Sequence, residues 1–179
     1  MKKNSLIVLL IIAFATNAQE KMVSYEGIIN FEASIPLFEE VKAINDNTTC
    51  ILVTKTGEIT CWVTIKDFKF KRNLMEEHFN TYYMESDRYP KAIFNGKIEK
   101  FDLKNVTSET IPYQINGKMT IRGRSKKIIT TATLKKVNDG IELFSEFPLN
   151  TDDYKIEIPF IVRSKVSKNV NTQIVCVLK

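Results

Sequence analysis

The stretch YEGIINFEASI, Tyr25–Ile35, carries its apolar side chains on every second residue. Tyr25, Ile29, Phe31, Ala33 and Ile35 take the odd positions with Gly27 on their side, while Glu26, Asn30, Glu32 and Ser34 take the even ones. A period of two sends successive side chains to opposite faces of an extended chain, so the pattern predicts a strand with one buried face. The alternation returns in Ile59-Cys61-Val63-Ile65, in Ala92-Phe94-Gly96-Ile98 and in Tyr113-Ile115-Gly117-Met119-Ile121. It continues in Ile128-Ala132-Leu134, in Ile141-Leu143-Phe147-Leu149 and in Ile174–Leu178. Turn residues stand between these runs at Lys55-Thr56-Gly57, Gly123-Arg124-Ser125 and Asn138-Asp139-Gly140. With Thr49–Thr54 added, about eight strands are expected.

An antiparallel sheet of that size must dispose of its two edges, which closure into a barrel does. A two-sheet sandwich shows the same alternation. The glycines at 27, 96 and 117, set within apolar faces, favour strongly coiled strands and hence the barrel. The expectation is an all-β protein, an eight-stranded antiparallel barrel with one short helix between strands. Such a barrel is wide enough to fill with side chains or to hold one small ligand.

The helix signal lies in LMEEHFNTYYMESDRYPKAIFNGKI, Leu74–Ile98. Asn73 followed by Glu76 resembles a capping box, and Leu74, Met75, His78, Phe79 and Tyr82 recur at helical spacing as an inward stripe. Ser86-Asp87 ends the helix and Tyr89-Pro90 imposes an extended entry into Lys91–Ile98. The helix is expected to pack on one end of the sheet as a lid or plug.

At the amino end, Lys2 and Lys3 precede ten uncharged residues, Leu6–Ala15, and the small residues Thr16 and Ala18. Ten residues rise only ~15 Å as a helix, about half the hydrocarbon thickness of a bilayer, so no membrane span is expected. The pattern describes a secretory signal peptide over residues 1–18, with a domain over 19–179 that is periplasmic or secreted. The domain then has 24 basic and 21 acidic residues, a net charge of +3. The basic groups at Lys66–Arg72 and Arg122–Lys127 are short and interrupted, so no nucleic-acid partner is expected.

Catalytic chemistry has little to stand on. His78 is the only histidine and shares its helix with aromatic residues, which suits a core or rim position better than a general base. Glu76, Glu77 and His78 are adjacent and spread around a helix, so they do not converge on a metal. Neither an enzyme nor a cofactor is expected. Cys50 and Cys61 flank the Lys55–Gly57 turn; if Thr54 opposes Gly57, they stand directly opposite each other. An oxidising compartment allows a bridge there, the alternative being two buried thiols, and Cys176 is left as a buried thiol.

The Leu74–Ile98 run, with IKDFKF before it (Ile65–Phe70) and YQINGKMTIRGRSKKI after it (Tyr113–Ile128), resembles the bacterial YceI-like family. The stretch Gly117-x-Met119-Thr120-Ile121-x-Gly123 is similar to a family stretch in which leucine usually stands at the Met119 position and histidine often at Arg122. The resemblance implies a lipocalin-like barrel, periplasmic or secreted, in a family with polyisoprenoid- and fatty-chain-binding members.

The functional expectation is a barrel that sequesters or carries one apolar chain, isoprenoid or fatty-acid-like. Its wall is expected from Phe31, Ile59, Val63, Phe94, Ile115, Met119, Leu143 and Phe147, with Leu74, Phe79 or Tyr82 near the mouth. The alternative is a barrel filled by its own side chains that binds a protein partner through outer residues such as Trp62 and Phe144. A homodimer is left open.

Overall fold

The computed structural model describes residues 20–179; the expected signal peptide, residues 1–18, lies outside them. The chain forms an up-and-down antiparallel barrel. Its strands are β1 (Lys21–Ser34), β2 (Lys42–Val53), β3 (Glu58–Thr64), β4 (Lys69–Phe70), β5 (Lys91–Ile98), β6 (Ile111–Ile121), β7 (Arg124–Val137), β8 (Gly140–Asn150) and β9 (Val166–Leu178). The eight long strands pair in chain order, and β1 pairs with both β2 and β9, which closes the ring. Among the described residues each long strand has a partner on both sides, which leaves no bare sheet edge, although β7 and β8 pair only over residues 132–137 and 140–145 and part toward the other end. The two-residue β4 lies on the same side of β2 as β3 and continues that wall after a break at Ile65–Phe68. Asn45, 1 % exposed, fills the break: its Nδ2 donates to the Thr64 carbonyl, and its Oδ1 accepts the Asn47 amide.

The two ends of the barrel differ. Both described termini gather at one end with the 99–110 connection and the tight turns where Gly57 and Asn138-Asp139 reverse the chain. The opposite end carries the long connections 35–41, 65–90 and 151–165 together with the Arg122-Gly123 turn.

In β1 the expected phase fails at its start. Ser24 is buried and Tyr25 is 72 % exposed, because register shifts on either side of Gly27 swap the faces. A bulge adds a residue to one strand, and every side chain before it changes sides. From Gly27 to Ala33 the odd residues point inward as expected.

The helix is also shorter and differently capped than expected. Helix α1 spans Asn73–His78, and Phe79–Tyr83 continues it as a π-turn closed by the Met84 amide on the Phe79 carbonyl. Arg72, not Asn73, occupies the cap position, and no side chain caps the helix. Glu76 instead accepts from the Phe70 amide and from Lys69 Nζ, which ties α1 to β4.

Candidate ligand cavity

The barrel interior is solid in one half and hollow in the other. At the tight-turn end Cys50, Leu52, Ile98, Leu134 and Leu178 are fully enclosed and leave no room. At the loop end Val63, Ile65, Phe68, Met84, Met119, Ile121 and Tyr154 surround a cavity of about 380 Å³. Ile29, Phe94 and Phe147 pack against both groups and form the floor between them. The volume falls within the range of small-molecule pockets.

Phe94 reaches its place because two glycines make room. Gly96 and Gly117 are directly paired across β5 and β6, and a Cβ on either would stand within 2.4–2.5 Å of the Phe94 ring. Any larger residue at those two positions would lift the ring off the wall and into the hollow half. Here the missing side chains are needed for space.

The roof comes from α1 and the π-turn. The Phe79 ring lies 5.5 Å from Phe31, 5.7 Å from Phe68 and 5.1 Å from Phe70, centroid to centroid. Edge-on and tilted contacts at this spacing suit the aromatic quadrupole, so the cluster fixes the helix on the rim. Phe31, Ile59, Val63, Phe79, Phe94, Ile115, Met119, Leu143 and Phe147 all line the cavity. Leu74 and Tyr82, expected beside Phe79, do not: they are 61 % and 66 % exposed. An i→i+5 turn holds more residues than an α-turn, so the inward stripe slips by one and Tyr83 takes the place of Tyr82. Met75, one turn before Phe79, faces in as the helical stripe predicts.

Sequence periodicity missed the segment between β8 and β9. Thr151, Tyr154, Ile156, Ile158 and Val162 line the cavity from a connection with no regular pattern. The apolar run Ile158-Pro159-Phe160-Ile161-Val162, isolated between two strands, was the available signal.

The lining is apolar with a few hydroxyls. Ser145 donates to the Thr131 carbonyl at 2.8 Å. Thr151 Oγ1 and Thr172 Oγ1 are buried without a hydrogen-bond partner among the described residues, so each offers a free donor to a polar atom inside. Burial, with the Asp153 carboxylate adding to it, pushes the Tyr154 phenol up to about 12 and keeps it neutral. Burial raises Tyr83 as well. His78 sits exposed at the rim, its ring 5.4 Å from that of Tyr82. Among the described residues no group of His, Cys, Asp or Glu is placed to hold a metal.

A polar knot holds the rim. Arg122 donates to a Glu85 carboxylate oxygen and to the Lys155 carbonyl, joining the β6–β7 turn to the segments after the π-turn and after β8. All three residues have positive φ, between 46° and 54°. That conformation costs non-glycine residues energy and persists where the surroundings enforce it. Cys50 and Cys61 stand opposite each other on β2 and β3, with Cα atoms 4.1 Å apart and sulfurs at bonding distance.

A model of the YceI-like domain matches residues 17–178. The chain belongs to the YceI-like family. Solved structures with the same fold include a polyisoprenoid binding domain from Saccharophagus degradans implicated in plant cell wall breakdown. That domain is 16 % identical, with a TM-score of 0.75 over 89 % of this chain and 97 % of the other. BcnA of Burkholderia cenocepacia is 12 % identical, with a TM-score of 0.71 over 86 % and 96 %. The YceI protein of Campylobacter jejuni is 19 % identical, with a TM-score of 0.59 over 81 % and 87 %. At these identities the likeness is one of fold. No curated protein matches the chain in sequence. The YceI-like barrel of this chain thus combines a solid base, an aromatic floor and a roof made from its own helix.

Proposed function

We propose that this YceI-like protein is exported and carries or sequesters one apolar chain, isoprenoid or fatty-acid-like, inside the hollow half of its barrel. The observation that carries this is the cavity itself: about 380 Å³ of space with an apolar wall, a floor and a roof. Empty space of that size is costly in a protein core, because the lining atoms lose their contacts. A chain that fills it restores them. Burial gains ~0.8 kcal/mol per methylene, so ten enclosed carbons gain roughly 8 kcal/mol gross and support micromolar binding after association costs. The Saccharophagus degradans domain, whose name gives a polyisoprenoid as its ligand, supports this choice of ligand class.

Action by binding, without turnover, fits the site's chemistry. The only histidine stands on the rim, and Ser145 spends its proton on a carbonyl. Export and a periplasmic or secreted location rest on the amino-terminal pattern of Lys2, Lys3 and Leu6–Ala15.

The test is Met119→Trp. Met119 is 9 % exposed and borders the cavity opposite Phe94 on the neighbouring strand. The larger ring fills ligand space, so fluorescent fatty-acid or farnesol-analogue binding is lost while the melting temperature changes little. A severe loss of stability in a protein that takes up no lipid would show instead that the space belongs to the core.

A further inference from the structure

The loop end of the barrel presents an apolar rim that the cavity leaves unexplained. Among the described residues, six of the eleven large exposed hydrophobics lie there: Leu37, Phe38, Leu74, Tyr82, Phe160 and Ile161. Pairing of Ser34 with Val166 makes the 35–41 loop and the segment before β9 leave the barrel side by side. An ion pair between Arg72 and Glu39 sets the start of α1 against that same loop. Leu37 is 103 % exposed, and Phe160 and Ile161 are 84 % exposed, so these side chains project into solvent, with the Arg163 guanidinium 5.9 Å from the centroid of the Phe160 ring. Their chain neighbours Val41, Ile158, Val162 and Val166 line the cavity, so the rim borders the cavity's loop end.

The unpaired charges beside the rim are cations in the majority. Arg163 and Lys165 follow Phe160-Ile161 within five residues, are exposed, and form no ion pair among the described residues. Lys71, before α1, is likewise unpaired. The acids of the 35–41 loop are neutralised, Glu39 by Arg72 and Glu40 by Lys42. Glu77 and Glu157 are the exposed acids left over on this end. Apolar tips flanked by unpaired cations match a bilayer surface with anionic headgroups: the tips enter the acyl boundary while Arg and Lys meet phosphates.

We propose that this rim docks on the anionic surface of a phospholipid bilayer, with Leu37, Phe38, Phe160 and Ile161 as the inserted tips and Arg163 and Lys165 as headgroup contacts. The proposal rests on the cavity holding a lipid chain, which then passes between bilayer and barrel without crossing water.

The test uses residues 20–179, which contain the whole closed barrel and exclude the apolar Leu6–Ala15 run that would itself bind lipid. Sedimentation with unilamellar vesicles of phosphatidylcholine alone, or mixed with phosphatidylglycerol, reads the docking. The protein is expected to sediment with the mixed vesicles and far less with the neutral ones. Arg163→Glu with Lys165→Glu should weaken binding to the mixed vesicles by about thirtyfold or more. Phe160→Asp with Ile161→Asp should abolish it, with melting temperature and uptake of a detergent-dispersed chain unchanged because both side chains are exposed. No sedimentation with either vesicle overturns the proposal. So does an unaltered Phe160→Asp, Ile161→Asp variant, or a dimer in analytical ultracentrifugation that this variant dissolves, which would make the rim a contact between copies. Failure of the cavity assignment shows separately, as absence of chain uptake from detergent.

Discussion

Replacing Phe79 with alanine tests whether α1 and its π-turn roof the barrel as described. The Phe79 ring touches three others, with centroids 5.1–5.7 Å away on β1, β4 and the break before β4. Complete burial would set the loss for Phe→Ala at about 3–5 kcal/mol. Phe79 is half-buried, facing a cavity on one side, so about 2–3 kcal/mol is expected. For a domain of this size each kcal/mol lowers the melting temperature by about 2–4 °C, which puts the shift at about 5–10 °C. Tyr82→Ala is the matched control. That residue is 66 % exposed, and its loss should stay within about 0.5 kcal/mol, a shift under about 2 °C. Thermal denaturation followed by circular dichroism measures both. Equal shifts, or a larger one for Tyr82→Ala, would refute the phase slip at the π-turn and with it the roof.

The Cys50–Cys61 bridge should be recovered by non-reducing peptide mapping of exported protein; it closes a loop of sequence separation 11, so its reduction should lower stability by about 3 kcal/mol. Free thiols at both positions would contradict it. Cys176 should resist thiol reagents at pH 8 until the protein unfolds, because burial pushes its thiol up to about 12 from an ordinary 9.0. The same shift makes stability fall with rising pH. Above 9.0 the unfolded chain loses the Cys176 proton while the folded one keeps it, so stability declines by up to about 1.4 kcal/mol per pH unit until about 12. Tyr154 adds to the decline between its ordinary 10.0 and about 12. Urea titrations at pH 8, 9.5 and 10.5 measure this; a flat profile would contradict the burial of both groups.

Much of the wall was legible because a period of two survives any context. Ile59, Cys61 and Val63 point inward on β3, as do Ile141 and Leu143 on β8, wherever the strands end up. Closure is different. It depends on β1 pairing with β9 as well as with its chain neighbour β2, and the β1–β9 contact joins distant parts of the chain, so barrel and sandwich share one local pattern. The Lys42–Asn47 part of β2 was missed because its sequence is mostly polar and it is held extended by its neighbour β1. Tyr25 and Tyr82 were placed on the wrong side for a common reason. One extra residue, in a bulge or in a π-turn, reverses a face without leaving a mark in composition. The Thr151–Val162 segment lines the cavity with no periodicity, so only its apolar run could have drawn attention.

Mass spectrometry of the organic extract from protein purified without detergent tests the central claim most directly. The account predicts an apolar chain, isoprenoid or fatty-acid-like, at close to one per barrel in the wild-type extract and strongly depleted in that of Met119→Trp. Wild-type protein that yields no such chain, and takes none up when exposed to a lipid extract, would contradict it.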